Sequence, residues 1–378
     1  MKDIGLYIHI PFCKRKCYYC DFCSYDSKVN LYQKYIKSII SEIKNIKNYK
    51  SYIIKSIYIG GGTPSILDSK CIIHIVNTIK QRFLLAENIE ITIEVNPESV
   101  SEAKLKDYKL AGINRLSIGL QSCDDKILKN IGRIHNYNQF NSTLDTARKI
   151  GFNNINVDLM IGLPTQSITN VEESIQKIIK KSPEHISVYS LILEEGTMLE
   201  DKINKGIFKL PDEDTERIMY WKVKKLLEEH GYIQYEISNF AKKSFESKHN
   251  TDCWNQKEYI GVGVAAHSYL NNIRFSNIYN LEEYICNIEK EKHEHNIIIH
   301  EKQNLGSMMN EYMILGLRMI EGIDVKKFQT KFNKNPIEVY RKQLDKLIKK
   351  GLIEFNDKNI KLTKKGIDFA NVVWEEFI

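Results

Sequence analysis

Cys13, Cys17 and Cys20 stand in a CxxxCxxC array directly behind an apolar run from Leu6 to Phe12. Gaps this short let a single loop wrap the corners of an iron-sulfur cube, whereas zinc sites usually draw two CxxC-type pairs from separated segments. A four-iron cluster wants four ligands, so one held by three protein thiolates keeps one iron open to bind and activate a small molecule. The array therefore predicts a reactive [4Fe-4S] site rather than a structural staple. Zinc survives in one form only, with Cys23 completing a four-cysteine site.

Whatever folds around that loop must present it at the end of a strand. Short β-rich runs at 5–10, 56–60, 89–95, 115–119, 155–160 and 186–191 are each followed by a longer amphipathic stretch. Their spacing of about 30 residues fits βα repeats, and right-handed crossovers would curl six parallel strands into an open barrel. The fold class expected is α/β, a partial (β/α)6 TIM-like barrel over 1–210. In such sheets chemistry gathers at the carboxyl ends of the strands. The polar clusters do fall there: Cys13 after the first run, Gly60 to Pro64 after the second, Glu94 with Asn96 and Pro97 at the third, Gln121 after the fourth and Asp158 in the fifth.

Beyond residue 210 the pattern changes. A helix at 215–230 leads into a mixed α+β region, 211–300, that carries His249, Asn250, Thr251, Asp252, Cys253 and Trp254. Helices at 305–319, 324–332 and 336–349, then strands at 352–355 and 360–362, predict a winged-helix-like tail over 301–378.

The other cysteines, Cys71, Cys123, Cys253 and Cys286, are scattered singles and make a poor disulfide framework, which points to a reducing compartment. The first ten residues lack the features of a signal peptide, and no run approaches about 18 apolar residues, so a soluble cytoplasmic protein without a spanning segment is expected. The net charge of +7 comes from lysines spread along the whole chain, which reads as a solvated surface and not a nucleic-acid footprint.

The glycine run Gly60, Gly61 and Gly62 lets backbone approach a ligand closely, with Thr63 adding a hydroxyl; a tight turn explains the run equally well until it is set beside the cysteines. Glu94 and Asp158 lie among β-branched residues, where a carboxylate must be paired or solvated. They suit ribose hydroxyls or an ammonium group. Arg133 supplies a fork for a carboxylate and Gln121 both a donor and an acceptor. Taken singly, each could equally serve a salt bridge or turn; as a set they describe a pocket for an amino-acid nucleoside.

These residues carry a resemblance that covers nearly the whole chain. The segment from Tyr7 to Cys13, the continuation Cys17 to Phe22, Gly60 to Ser65, Gly119 to Ser122, Gly132 with Arg133, Asp158 to Pro164, and His249 with Asn250 resemble radical S-adenosylmethionine proteins of the oxygen-independent coproporphyrinogen III oxidase-like group, and most closely the HemW haem chaperones. The resemblance implies that Cys13, Cys17 and Cys20 bind the cluster and that S-adenosylmethionine meets Tyr7, Tyr19, Gly61, Gly62, Thr63, Glu94, Gln121, Arg133 and Asp158; Ile192 is a looser match. It also implies reductive cleavage to a 5′-deoxyadenosyl radical, sheltered by an aromatic and aliphatic barrel interior. In the oxidases the array runs CxxxCxxCxC, but Phe22 stands at that place here and Cys23 comes one residue late, reading as a small buried residue. The chaperone HNxxYW segment appears with Cys253 in place of tyrosine. By the same resemblance His249, read as a loop histidine, is the haem ligand, Trp254 stacks near the macrocycle, and a Cys253 thiolate competes. Haem and apo-haemoproteins, including those of the respiratory chain, are the implied partners, with a dimer and peripheral membrane association allowed. Radical decarboxylation of coproporphyrinogen III is the competing reading.

Overall fold

The computed structural model describes residues 1–356 and 358–378. Six parallel strands, β1 (Lys2–Ile10), β2 (Tyr52–Gly61), β3 (Leu84–Val95), β4 (Arg115–Gln121), β5 (Ile155–Ile161) and β6 (His185–Ser190), pair in sequence order within one twelve-stranded sheet. Helices such as Ser69–Arg82 and Ile168–Lys181 connect them. The α/β fold class and the expected strands are present. The first three strands begin three to five residues earlier than the apolar runs do, because their starts carry polar residues such as Lys2, Asp3 and Lys55.

Parallel sheets covered on both faces normally read as unbroken apolar runs. Here they alternate. Ile8, Ile57, Ile93, Ile118, Val157 and Val188 are all buried in the main core together with Ile72, Ile75 and Ile79 from one connecting helix and Val171, Ile175 and Ile178 from another. Burying each such side chain is worth about 1.5–3 kcal/mol. The opposite face is polar. Register aligns Tyr7, Tyr58, Thr92 and Arg115 across β1 to β4; Glu94, Ser117, Asn156 and His185 across β3 to β6; and Gly119, Asp158 and Ser187 across β4 to β6. The aromatic and aliphatic shelter expected of the interior is thus interspersed with hydrogen-bonding groups, which stand beside Tyr58, Tyr189, Val95 and Met160.

Residues beyond 210 extend both edges of this sheet. β7 (Ile233–Glu236) and β8 (Asn239–Ala241) add antiparallel beyond β6, while β9 (Tyr259–Val262) crosses the molecule to pair parallel with β1. β10 (His267–Leu270), β11 (Ile273–Asn277) and β12 (Ile297–Lys302) continue outward antiparallel, with β12 at the edge. Sequence reading finds none of these short strands.

The C-terminal segment has its own core around Phe328, Phe332, Tyr340, Leu347 and Phe377. Its sheet has three strands, β13 (Ile323–Asp324), β14 (Ile353–Phe355) and β15 (Asn359–Leu362), ordered β13-β15-β14. The helix expected over 336–349 is two, Pro336–Val339 and Arg341–Lys349. Tyr340 leaves helical geometry between them, its hydroxyl donating to Asn310 Oδ1 at 2.7 Å and its ring packing edge-on against Phe377 at 5.3 Å. Among the described residues no helix is long and apolar enough to cross a membrane.

Candidate functional site

A cavity of about 380 Å³ opens at the carboxyl ends of the parallel strands, with Cys13, Cys17 and Cys20 together on its lining. The loop that carries them is pinned to the glycine turn after β2. Gly62 N donates to Ile10 O at 2.8 Å, Thr63 N to Phe12 O at 2.7 Å, and Thr63 Oγ1 reaches Cys13 Sγ at 3.6 Å. The turn requires glycine: a Cβ on Gly62 would lie 2.8 Å from Phe12 O and 3.0 Å from Cys13 Sγ, and Gly61 has φ +112°. Burial pushes the Cys13 thiol up and the Cys20 thiol up to about 11. Left alone these thiols stay protonated; a bound metal would ionise them.

Glu94 faces Gly61 across the cavity. Its carboxylate accepts from Tyr58 OH at 2.8 Å and Gly61 N at 3.0 Å, and burial raises it to about 7. Asp158 is also raised by burial, although Ser117 Oγ at 3.0 Å and Asn156 Nδ2 at 2.8 Å donate to it. Gln121 has φ 73°, an uncommon conformation for a residue with a side chain, beside a register shift in β4. That kink carries Gln121 onto the cavity lining.

Arg133 is more committed than a free fork. Its Nη2 donates to Gly119 O at 2.6 Å and Asn96 Oδ1 at 2.9 Å, and its Nη1 to Cys17 Sγ at 3.5 Å. Its Nε is buried without a partner. Tyr19, its phenol raised by burial and then by Cys17, completes the cavity wall.

Three sequence-predicted positions lie elsewhere. Tyr7 is on the inner face but off the cavity lining; its hydroxyl donates to His9 Nδ1 at 2.9 Å, because His9 Nε2 must donate to Cys23 O at 2.9 Å. Ile192 follows β6 on the exposed surface. His249 lies in the helix Lys248–Trp254, not in a loop, and is only 6% exposed. It plugs the barrel toward the amino ends of the strands: Nδ1 is 2.9 Å from Ser56 Oγ, and its ring is 5.3 Å from Tyr58. Burial lowers it to about 4, and Glu90 accepts from its backbone N at 3.2 Å.

Burial pushes the neighbouring Cys253 thiol up to about 12, so that, like Cys13 and Cys20, it stays protonated unless a metal is bound. One face of Trp254 is covered by the Arg318 guanidinium at 4.5 Å. Cys23 is half-buried with its Sγ 3.6 Å from Tyr279 O, off the cavity lining, so the zinc alternative lacks a fourth thiol there. Sequence reading missed Tyr58, Ser117 and Tyr189 on the lining. Their signal was the period-two alternation that places them on the same strand faces as Gly60, Gly119 and Ser187. A larger depression of about 660 Å³ lies at the amino ends of the strands, but two of its lysines already pair there, Lys55 with Asp3 at 3.2 Å and Lys257 with Asp252 at 2.6 Å.

Residues 7–178 match the radical SAM superfamily, and residues 307–369 match the HemN C-terminal domain. The chain is 35% identical to heme chaperone HemW of Lactococcus lactis, covering 100% of this chain and 98% of that protein. It is 36% identical to heme chaperone HemW of Bacillus subtilis, over 98% of each. The chain belongs to the HemW family of radical SAM proteins. Within that wider relationship it is also 33% identical to the mitochondrial radical S-adenosyl methionine domain-containing protein 1 of Danio rerio, over 85% of this chain and 74% of that one. The fold matches coproporphyrinogen III oxidase HemN of Escherichia coli with a TM-score of 0.86 at 21% identity, over 100% of this chain and 90% of that one.

Family membership implies a [4Fe-4S] cluster and S-adenosylmethionine, and the cavity fits both. Three free thiols sit on one wall. Two buried carboxylates and an unpartnered guanidinium N–H belong to the same set of residues.

Proposed function

We propose that this protein is a haem carrier: it binds haem, passes it to apo-haemoproteins, and uses a [4Fe-4S] cluster on Cys13, Cys17 and Cys20 with S-adenosylmethionine to control assembly or release. The observation that carries the reading is the full-length likeness to HemW proteins, together with a cavity whose lining holds the three thiols and the charged set. When bound, the cluster supplies an electron and an open iron for the amino and carboxylate groups of the nucleoside.

The chain's own residues do the rest. Gly61 and Gly62 let backbone approach the ligand. Glu94 and Asp158 offer negative charge to its cationic groups, with Tyr58 and Ser117 fixing their orientation. Arg133 steadies Cys17 while its Nε is left for the ligand carboxylate. Phe22, 60% exposed at the cavity rim, occupies the place where the decarboxylating oxidases carry a further cysteine.

Anaerobically reconstituted protein should bind iron and sulfide, S-adenosylmethionine and haem, and should transfer haem to an apo-haemoprotein without consuming coproporphyrinogen III supplied in parallel. Conversion of coproporphyrinogen III to protoporphyrinogen IX would place it among the oxidases instead.

A further inference from the structure

His249 is a poor place to look for the iron ligand of such a carrier. Reaching a haem from the barrel floor would require the helix Lys248–Trp254 to withdraw, breaking the Ser56 contact and both backbone bonds from Lys248 and His249 to Glu90. Two other histidines meet no such obstacle. His267 on β10 and His300 on β12 are both exposed, and their rings stack at 5.2 Å with an interplanar angle of 11°.

Register puts them in a telling position. Tyr7 pairs with Gly261 on β9, Tyr259 of β9 with Tyr269 on β10, and His267 with Ser276, which in turn pairs with Ile298. His267, Ser276 and Ile298 share the sheet face that carries Tyr7 in the barrel, and His300, unpaired at a register shift in β12, is held on that face by its bond to Ser276 and its stack on His267. This extension adjoins the cysteine loop. Tyr25 OH donates to Tyr279 O at 2.9 Å, Cys23 Sγ lies 3.6 Å from the same oxygen, and the Tyr279 hydroxyl is 2.9 Å from His267 Nε2.

The chemistry of this patch is that of a haem surface. Imidazole nitrogen is a natural axial ligand. His300 Nε2 is engaged only by Ser276 Oγ at 2.8 Å, a hydroxyl easily exchanged. Ile298, 37% exposed, and Tyr279, 49% exposed, supply apolar and aromatic surface. From β10 to β12 the face spans two strand gaps, about 10 Å, the width scale of a tetrapyrrole.

Resting on the haem-carrier reading, the geometry points to His300 as the axial ligand of the carried haem, with His267 stacked beside it as a positioning residue on the β10–β12 face. The test is a haem titration of the full chain, followed by optical and electron paramagnetic resonance spectra. Wild type, His300→Met and His249→Gln are compared, the last retaining a hydrogen-bonding partner for Ser56. His300 lies on an exposed edge strand, so melting curves should show His300→Met folded. The site is supported if His300→Met replaces the histidine-ligated spectrum with a methionine-ligated or weakly ligated one while His249→Gln stays as wild type. It is overturned if His300→Met matches wild type, or if only His249→Gln loses the histidine signature. A wild-type chain that takes up no haem overturns the carrier reading itself.

Discussion

Glu94→Gln should stabilise the cluster-free protein above neutral pH and destabilise it in acid. Burial lifts this carboxyl from 4.5 to about 7. A folded-state value above the unfolded one means that the stability tied to the group is fully present below about pH 4.5 and is lost as pH rises through 7. A difference of about 2.5 pH units at 1.36 kcal/mol each is roughly 3 kcal/mol, and the open cavity mouth trims that to about 2. Glutamine removes the ionisation penalty but cannot accept from both Tyr58 OH and Gly61 N, which costs about 1 kcal/mol. The variant should therefore be more stable than wild type by about 1 kcal/mol at pH 8 and, because part of the ionisation penalty is already present at pH 5, less stable there by only about 0.3 kcal/mol. For a chain this long, that is a Tm gain of about 1–2 °C at pH 8 that vanishes and turns slightly negative by pH 5. Melting both proteins across this range, cluster-free and under one buffer system, cancels every group they share. A Tm difference that stays flat from pH 5 to 8 would refute the reasoning. The same substitution should weaken S-adenosylmethionine binding, which makes Glu94 a residue kept at a cost in stability.

Gly62→Ala should leave the secondary structure intact, cost about 1–3 kcal/mol, and lower iron and sulfide loading severalfold, since its Cβ meets Phe12 O and Cys13 Sγ. Cys23→Ser should load iron as wild type does, because that thiol points to Tyr279 and not to the cavity; a loss of cluster would restore it as a ligand. Arg318→Ala should cost about 3–5 kcal/mol and lower Tm by about 4–6 °C, because it strands the fully buried Glu236 carboxylate without its cation. A calorimetric scan that shows no change would contradict it.

The six-strand arc was legible because βα repeats impose a spacing, and the cavity because its ligand-facing groups cluster at strand ends. The polar inner wall was legible only in part: Glu94 and Asp158 stand out by charge, whereas Tyr58, Ser117 and Asn156 read locally as ordinary strand residues. What hid β9 is distance. Its four residues pair with β1 across more than two hundred positions, so neither length nor periodicity marks them. The surroundings of His249 were hidden for a related reason. A histidine read as lying in a loop looks available, and only the fold shows Ser56, Tyr58 and Glu90 closing around it. The break at Tyr340 was likewise invisible, because it is set by Asn310 and Phe377 from other elements.

Arg318 ties two remote stretches of chain to its own with one guanidinium: Nε donates to Glu236 Oε2 at 2.9 Å, Nη2 to Ser238 Oγ at 3.1 Å, and the plane covers Trp254 at 4.5 Å. The barrel rim, the plugging helix and the C-terminal unit thus share a single fastening. Evolutionary drift at any one of these positions has to be answered at the others, so Glu236, Trp254 and Arg318 should change together among relatives, while Cys253, which lies outside the knot, is left free to vary.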